Sequence, residues 1–360
     1  DANGIGDFQY IPSGFLALCS ANLPEPTISP NADTQADDYF NTVLYSGNGQ
    51  TTAQGSNAIS GVGFQPDWVW LKKRDSAGAN VDHALYDSTR GINSMVASNS
   101  TGAEGTFSNQ FKSFDSDGFT VALADDGSFG LNRNGSPFVA WNWKANGSTT
   151  SSNTDGDVTS TVQANTDAGF SIVTWTQGSG QTDVGHGLGA VPDMIIGKTR
   201  TPSSGSWGWH TFHKDLGVSK YIFLNATTAA TSSSNIFNPV NSTVFGSSEY
   251  LFQASTPNLA YCFKSIEGYS KCGSYIGNGT FVALNFSPSF LMLKRTDSAD
   301  DWIIVDTTRA TINDAGQTLF ANLDDAETDY STQMDIVSNG FKLRNSGGSK
   351  NASGGTYIYM

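Results

Sequence analysis

The residues of this chain best suited to bind a ligand form a short aromatic cluster, Trp207, Trp209 and His210. They follow a polar loop at 202–205, and exposed flat aromatic rings are surfaces on which sugar rings stack. Trp209 also aligns with Trp302 in a later copy of the same pattern, and both precede apolar residues. The sequence therefore predicts a ligand site at Trp207, Trp209 and His210, with a position in the hydrophobic core as the alternative for Trp209.

Metal chemistry is poorly supported, since the chain has only 4 His and 3 Cys. His210 and His213 are three residues apart, which places them on opposite faces of a strand, and no Cys or Glu pair lies at zinc-like spacing. Cys262 lies in an apolar run and is expected to be a buried free thiol. A bridge from Cys262 to Cys272 is left open. We predict no metal and no cofactor.

Paired carboxylates would be needed for glycoside hydrolysis, and such pairs come from distant strands. Asp87 and Asp306 recur at one position, each with an Arg three residues later, which indicates turn-capping Asp residues. The acidic clusters 115–117 and 324–325 lack the spaced ligands and Gly of a calcium loop. The prediction is a protein without enzymatic activity, with a polysaccharide depolymerase as the alternative.

One pattern that recurs three times must position these residues. Its most specific element is a Pro, one residue, four apolar residues and a Lys, found at 66–72, 192–198 and 288–294. Such an apolar run between turn residues predicts a strand buried on both faces. A closing strand at 138–144, 259–264 and 357–360 alternates aromatic residues and predicts a half-buried strand. The third copy stops inside this strand, so we expect either a cut chain or an edge completed by something else.

Turn signals complete the pattern. Asp117-Gly118-Phe119 and Asn339-Gly340-Phe341 predict hairpin corners in the first and third copies, and the middle copy lacks this signal. No segment shows helical periodicity of useful length. The predicted fold is all-β, with tandem antiparallel β-sandwich (jelly-roll-like) modules in three diverged repeats. The predicted divisions are a strand remnant and extended linker at 1–40, module 1 at 41–145, a Ser/Thr/Gly-rich linker at 146–166, module 2 at 167–265 and module 3 at 266–360.

Charge and hydropathy exclude some partners. The net charge is −14 and the sequence pI is about 4.5, which repels the phosphate backbone of nucleic acid and anionic lipid. No stretch approaches the roughly 18 apolar residues of a membrane span. We expect neither nucleic-acid binding nor membrane insertion. The start at Asp1, without Met or a signal sequence, is expected to be a processed, truncated or trimmed end.

Several phrases of the sequence resemble the repeated β-modules of virion proteins of tailed phages, especially marine phages such as those that infect cyanobacteria. The phrases are GFQPDWVWLK at 63–72, AWNWK at 140–144, GHGLGAVPD at 185–193 and IEGYS at 266–270. A further phrase, PSGFLAL at 12–18 followed by NLP at 22–24, resembles the exit from a SPRY or concanavalin-like lectin module in the same proteins.

The resemblance implies a virion structural or adhesion protein without catalytic residues, such as a tail fibre or another surface appendage. The expected partners are other virion proteins or copies of the chain itself, as a homo-oligomer such as a trimer, together with host cell-surface polysaccharide. The expected location is the virion surface. A bacterial adhesin or filament subunit, extracellular or on the cell surface, is a further alternative, because strand donation between subunits completes open sheet edges.

Overall fold

The computed structural model describes residues 26, 28–29, 32–78, 80–123, 130–203, 207–234, 236–279, 281–310, 315–330 and 333–360. In these residues every pair of named strands is antiparallel, and the only α-helix is α1 (Gly348–Asn351). Two 3-10 helices lie at Ala36–Asp38 and Thr52–Gln54. The prediction of an all-β sandwich fold is confirmed. The expected strand remnant at 7–10 and the lectin-like phrases at 12–24 lie outside the described residues.

The described residues of the first module form nine strands. They are β1 (Phe40–Ser46), β2 (Asn57–Ser60), β3 (Trp68–Lys73), β4 (Ala84–Asp87), β5 (Ser94–Met95), β6 (Gly105–Thr106), β7 (Phe111–Asp115), β8 (Gly118–Val121) and β9 (Pro137–Trp143). The order β1-β9-β3-β4 forms one sheet and β2-β8-β7 forms the other, with β5 and β6 as a small separate pair.

In the middle module, ten strands lie within the described ranges. They are β10 (Ser151–Asn153), β11 (Ser160–Asn165), β12 (Phe170–Thr176), β13 (Gln181–Gly185), β14 (Met194–Thr199), β15 (His210–His213), β16 (Lys220–Phe223), β17 (Thr231–Ser232), β18 (Val244–Ser248) and β19 (Pro257–Phe263). Eight of them form the sheet β10-β11-β12-β19-β14-β15-β16-β17, and β13 pairs with β18 in the second sheet.

The part of the third module that the structure describes has nine strands. They are β20 (Gly273–Ile276), β21 (Phe281–Ala283), β22 (Phe290–Arg295), β23 (Trp302–Asp306), β24 (Gln317–Phe320), β25 (Thr328–Asp329), β26 (Met334–Val337), β27 (Gly340–Leu343) and β28 (Thr356–Tyr359). Their sheets have the orders β20-β28-β22-β23-β24-β25 and β21-β27-β26.

The same strand order therefore occurs three times. In each module an opening strand pairs with the closing strand. The closing strand also pairs with the strand that follows the Pro of the repeated pattern, and this strand pairs in turn with the next one along the chain. The resulting orders are β1-β9-β3-β4, β12-β19-β14-β15 and β20-β28-β22-β23. We call these the inner sheets and the sheets that contain β8, β18 and β27 the outer sheets. Each module packs its inner sheet against its outer sheet around a hydrophobic core of its own.

Residues 146–166, expected to be a linker, instead carry β10 and β11 of the middle inner sheet. Thr and Val suit a pleated, half-buried surface, so a Ser/Thr-rich composition does not exclude strands. Gln163, which is fully buried, fixes this junction. Its Oε1 accepts bonds from the backbone N–H groups of Asn146 (3.2 Å) and Ser148 (2.9 Å), and its Nε2 donates to Ser88 Oγ at 2.9 Å.

A fourth core lies between the modules, because the outward faces of the three inner sheets pack against one another. On β3, Val69 and Leu71 point into the sandwich interior, while Trp68 and Trp70 point into this central core. The predicted burial on both faces is thereby confirmed for β3 and β14. The expectation of a half-buried closing strand is wrong for β9 and β19, since aromatic residues such as Trp141 face the other modules.

The modules close into a ring, because equivalent contacts join the first to the middle, the middle to the third and the third to the first. One set consists of backbone hydrogen bonds between equivalent positions. They run from Glu104 N to Arg200 O (2.6 Å), from Ala230 N to Thr296 O (2.9 Å) and from Glu327 N to Arg74 O (2.8 Å). The contacts thus have pseudo-threefold symmetry within a single chain.

Candidate functional site

The predicted ligand cluster lies mostly inside the protein. Trp209 is fully buried in the central core, and His210 is 5% exposed among the rings of Tyr221, Phe223 and Phe252. Burial lowers the pKa of His210 to about 3, so its imidazole is neutral. Neither ring presents a face to a sugar, which corrects the ligand-binding prediction for both residues and favours the core alternative for Trp209.

Trp207 is half-buried and contributes to a border between modules. Its carbonyl oxygen accepts a hydrogen bond from Lys198 Nζ at 3.0 Å, and the same ammonium group reaches Ser100 O of the first module at 3.2 Å. The segment that carries Trp207 is therefore held close to the first module through Lys198.

Trp209 belongs to a set of three ring N–H donors that cross the module borders. His83 takes the equivalent position in the first module. Its Nδ1 accepts from Trp70 Nε1 at 2.7 Å, so its Nε2 carries the hydrogen. The three bonds run from Trp209 Nε1 to Ala97 O (2.8 Å), from Trp302 Nε1 to Phe223 O (2.8 Å) and from His83 Nε2 to Phe320 O (2.9 Å).

The Lys that ends each apolar run makes a second equivalent set. All three are buried, and desolvation lowers the pKa of each to about 8. Each ammonium group donates to a carbonyl oxygen of the neighbouring module, which satisfies a donor that has lost its water. The bonds run from Lys72 to Asp324 O (2.9 Å), from Lys198 to Ser100 O (3.2 Å) and from Lys294 to Thr227 O (3.2 Å).

Two borders also carry an Arg–Glu–Arg triad, in which the Glu and one Arg are almost completely buried and the second Arg, Arg200 or Arg74, is about 20% exposed. Glu104 accepts from Arg90 Nη1 at 2.8 Å and from Arg200 Nη2 at 2.7 Å. Burial alone raises the pKa of the Glu104 carboxyl, but the two guanidinium groups outweigh burial and the pKa lies below its ordinary value. Glu327 accepts in the same way from Arg309 (2.8 Å) and Arg74 (2.7 Å) at the next equivalent border.

The third border has lost this triad. The positions of the Glu and of the two Arg residues are occupied by Ala230, Leu216 and Thr296, as the equivalent backbone bonds show. Leu216 and Ala230 pack against the central core instead. A buried charged triad and a set of uncharged residues of suitable shape are alternative solutions to one packing problem. This substitution accounts for the absence of the Asp and Arg pattern from 213–216 of the middle copy.

Asp87 and Asp306, which recur at one position of the repeat, also make hydrogen bonds across the module borders. Asp87 Oδ1 caps a turn by accepting from Arg90 N at 2.9 Å, and Asp306 does the same with Arg309 N at 2.8 Å, which confirms the turn-capping interpretation. Across the borders, Asp87 accepts from Tyr261 OH at 2.8 Å and Asp306 from Trp141 Nε1 at 3.0 Å. Both carboxylates are inaccessible to a bulky substrate.

Within the described ranges, no group of three or more His, Cys, Asp or Glu side chains is placed to hold a metal ion. Cys262 and Cys272 are both free and buried, and burial raises the pKa of the Cys262 thiol to about 12. The same part of the chain contains no helix long and apolar enough to cross a membrane. Cys19 lies outside it.

A cavity of about 720 Å³ opens where the closing strands of the three modules end. Aromatic pairs from two modules line it, Phe40 with Trp143 and Phe170 with Phe263, each pair lying opposite one another on neighbouring strands. The third module contributes Phe286, Phe290 and Met360 among others, and the segment before β1 contributes Pro26 and Ile28. This largely apolar chamber between the modules is the candidate binding site of the molecule.

The sequence alone missed this cavity. Its lining residues, such as Phe40, Trp143 and Phe263, come from segments far apart in the chain, and no local pattern brings them together. The Arg–Glu–Arg triads were only weakly indicated by the sequence. Arg90 and Arg309 both lie three residues after an Asp, but the middle copy has no Arg at this position.

No curated protein and no solved structure matches the chain significantly. A family model described as a domain of unknown function matches residues 35–360, a span that takes in all three modules. The ring, and not a single module, therefore corresponds to the unit that this family model describes. The chain belongs to this family, DUF7483.

Proposed function

We propose that the chain is a non-enzymatic structural and attachment component of a tailed-phage virion, located on the surface of the particle in a tail fibre or another appendage. The observation that carries the proposal is the closed ring of three modules, which converts one chain into a rigid body with buried borders. The resemblance of its repeated phrases to phage virion modules supports the same conclusion. Rigid bodies of this kind position loops for contact with other proteins and with host surfaces.

The proposed partners are other virion proteins, copies of the chain and host polysaccharide. A single chain with pseudo-threefold contacts can sit on the axis of a threefold assembly without forming a trimer itself. Light scattering coupled to size-exclusion chromatography distinguishes the two arrangements, because a homotrimer has three times the chain mass of 38.2 kDa.

Host polysaccharide would contact exposed aromatic residues, and Tyr250 is the most exposed large hydrophobic side chain described, at 81%. It lies on a turn held to the loop before Trp207 by the bond from Ser203 N to Gln253 Oε1 at 2.7 Å. An aromatic ring with this exposure offers a surface for sugar stacking. Tyr250 therefore replaces Trp209 and His210 as the proposed contact.

Mass spectrometry of purified particles of the encoding phage tests the location, and the chain is expected among the stoichiometric virion proteins. Its presence in infected cells but not in particles would overturn the proposal. For attachment, fluorescently labelled protein is expected to bind host cells, and Tyr250→Ala to reduce this binding. Tyr330→Ala is the matched control, because Tyr330 is 37% exposed with Lys350 Nζ 5.4 Å from the ring centroid. Release of new reducing ends from host polysaccharide would instead favour a depolymerase.

A further inference from the structure

Two of the 4 histidines of the chain lie on module borders, and both donate a hydrogen bond to the third module. His83 of the first module donates from Nε2 to Phe320 O at 2.9 Å. His213 of the middle module donates from Nε2 to Tyr359 O at 3.3 Å. Both imidazoles are completely buried, so the two borders of the third module each contain a histidine that is shielded from water.

The second nitrogen of each imidazole accepts a hydrogen bond, which fixes the neutral form. Trp70 Nε1 donates to His83 Nδ1 at 2.7 Å, and Asp215 N donates to His213 Nδ1 at 3.2 Å. An indole N–H and a backbone N–H can only donate, whereas a protonated imidazole carries a hydrogen on both nitrogens. Protonation would therefore place two hydrogens between the same two nitrogens, and the closed border does not accommodate the charged form.

The surroundings of His83 also oppose its protonation. Burial is the main cause and lowers the pKa of this imidazole well below its usual range. Lys72 and Arg309 lower the pKa further, because both bring positive charge toward the ring. A proton reaches His83 only when the border to the third module opens.

The charges around His213 are mixed, but burial dominates there too and lowers the pKa to about 4. Asp215 and Asp193 favour the protonated form, and Lys214 disfavours it. Two further groups nearby stay uncharged in the range in which histidine titrates, because burial raises the pKa of both, namely the Tyr359 hydroxyl and the Cys272 thiol.

The border between the first and middle modules has other residues at the same two positions. Trp209 takes the place of His83 and donates to Ala97 O at 2.8 Å. Asp87 takes the place of His213 and accepts from Tyr261 OH at 2.8 Å. An indole does not titrate, and carboxyl groups titrate well below the range of histidine. Acid in the histidine range therefore acts on two of the three borders.

We propose that mild acidification opens the two borders of the third module, while the border between the first and middle modules stays closed. In the open state both imidazoles reach water and take up a proton, and the protonated form does not fit the closed border. Protonation of histidines at about pH 5–6 switches interfaces in proteins that sense pH. The inference goes beyond the virion proposal and does not depend on it.

Linkage between protonation and opening gives the expected size. A histidine in water has a pKa near 6.5, and the closed border keeps the imidazole neutral down to about pH 5. A fall from about pH 7.5 to about pH 5.5 should therefore raise the opening equilibrium about tenfold for each histidine that is released.

Three equivalent backbone amides report on the three borders, and each donates to a carbonyl oxygen of the neighbouring module. They are Glu104 N, Ala230 N and Glu327 N. Hydrogen exchange of the full chain is measured for these amides at both pH values and corrected for the intrinsic exchange rate. We expect protection to fall about tenfold or more at Ala230 and Glu327, and by less than about twofold at Glu104.

Glutamine variants test the assignment to the two imidazoles, since glutamine keeps an N–H donor and does not titrate. His83→Gln should reduce the pH effect at Glu327 about tenfold, and His213→Gln should do the same at Ala230. His186→Gln is the matched control, because His186 is equally buried and bonds to Asn241 O at 3.1 Å inside the middle module. It should leave the pH effect at all three amides unchanged.

Equal losses of protection at the three amides, or no loss at Ala230 and Glu327, would overturn the proposal. A pH effect that persists in full in His83→Gln and His213→Gln would overturn it as well. The comparison among the three amides is made in the unaltered chain, so it decides the question even where a variant fails to fold.

Discussion

Trp68 of the first module and Tyr261 of the middle module stack across their border, with ring centroids 4.0 Å apart and planes 18° from parallel. Both rings are fully buried, and both lie in the central core that the three inner sheets share. The border between these modules is thus built like the interior of one protein. The modules are therefore expected to depend on one another for stability, unlike independent domains joined by flexible linkers.

The cross-border indole bonds give a first test of this dependence. Trp209→Phe keeps an aromatic ring in the core but removes the shorter of the two bonds to Ala97 O, which keeps only the 3.4 Å bond from Ser100 N; we expect a cost of about 1 kcal/mol for the lost hydrogen bond. Trp68→Phe is the matched control, because Trp68 is equally buried and its Nε1 has no partner among the described residues. Urea unfolding should show that Trp209→Phe is the more destabilising of the two by that amount. Equal losses would mean that the bond to Ala97 contributes nothing.

Because two borders carry a charged triad and the third carries uncharged residues, we expect that the uncharged set can replace the triad. Glu104→Ala removes the carboxylate that two Arg residues share, and we expect a loss of about 3–5 kcal/mol in the free energy of unfolding.

Transfer of the uncharged border should rescue the loss. The variant with Asp87→His, Arg90→Leu, Glu104→Ala, Arg200→Thr and Tyr261→Met installs the residues found at His213, Leu216, Ala230, Thr296 and Met360, the last because Tyr261 OH donates to Asp87. We expect it to recover most of the stability in the same urea titration. A variant less stable than Glu104→Ala alone would show that the borders are not equivalent.

Substitution of Gly340 tests whether the predicted hairpin corner at 339–341 requires a residue without a side chain. Gly340 has φ +155° and an added Cβ would overlap the carbonyl oxygen of Val282 on the paired strand. Gly340→Ala is therefore expected to cost about 2 kcal/mol or more. Gly61→Ala is the control, since Gly61 also has positive φ (+89°) but no atom within 4 Å of the added Cβ. Thermal unfolding of the two variants separates the steric overlap from the backbone conformation alone.

The buried histidines are expected to make the free energy of unfolding depend on pH. Burial lowers the pKa of His210 to about 3 and of His213 to about 4, while an unfolded His titrates near pH 6.5. Below pH 6.5 the unfolded chain binds more protons than the folded one, so stability that is present at neutral pH is lost as the pH falls toward 4. We expect a loss of roughly 1 kcal/mol per buried histidine between pH 6.5 and 5.5.

The measurement is the urea midpoint as a function of pH. His210→Leu removes one titrating group from an apolar site, so its stability should fall less steeply over the same range. An unchanged slope in His210→Leu would show that this imidazole is protonated in the folded protein.

The sequence predicted the features that depend on local patterns. The apolar runs before Lys72 and Lys198 formed strands buried on both faces, and the Asp-Gly and Asn-Gly turns formed hairpin corners. Asp87 and Asp306 cap turns because their Oδ1 atoms reach a backbone N–H three residues away. Each of these features is set by neighbours in sequence.

The features that were missed depend on contacts between distant segments. Arg200 meets Glu104 across 96 positions, and nothing near either residue specifies the partner. Trp209 was ambiguous because a Trp after a polar loop has the same local pattern whether it is exposed or buried. Its alignment with Trp302 was the better guide, since both donate across a border. The aromatic residues of β9 suggested one exposed face, yet that face is covered by the other modules.

The closed ring is the central claim, and small-angle X-ray scattering of the full chain tests it most directly. A compact chain of 360 residues is expected to have a radius of gyration of about 21 Å. Three modules of about 13 Å each, arranged as an open string, would give roughly 30 Å. A value near 21 Å agrees with modules that close on one another through the Trp209, Trp302 and His83 bonds, and a value near 30 Å would contradict the ring.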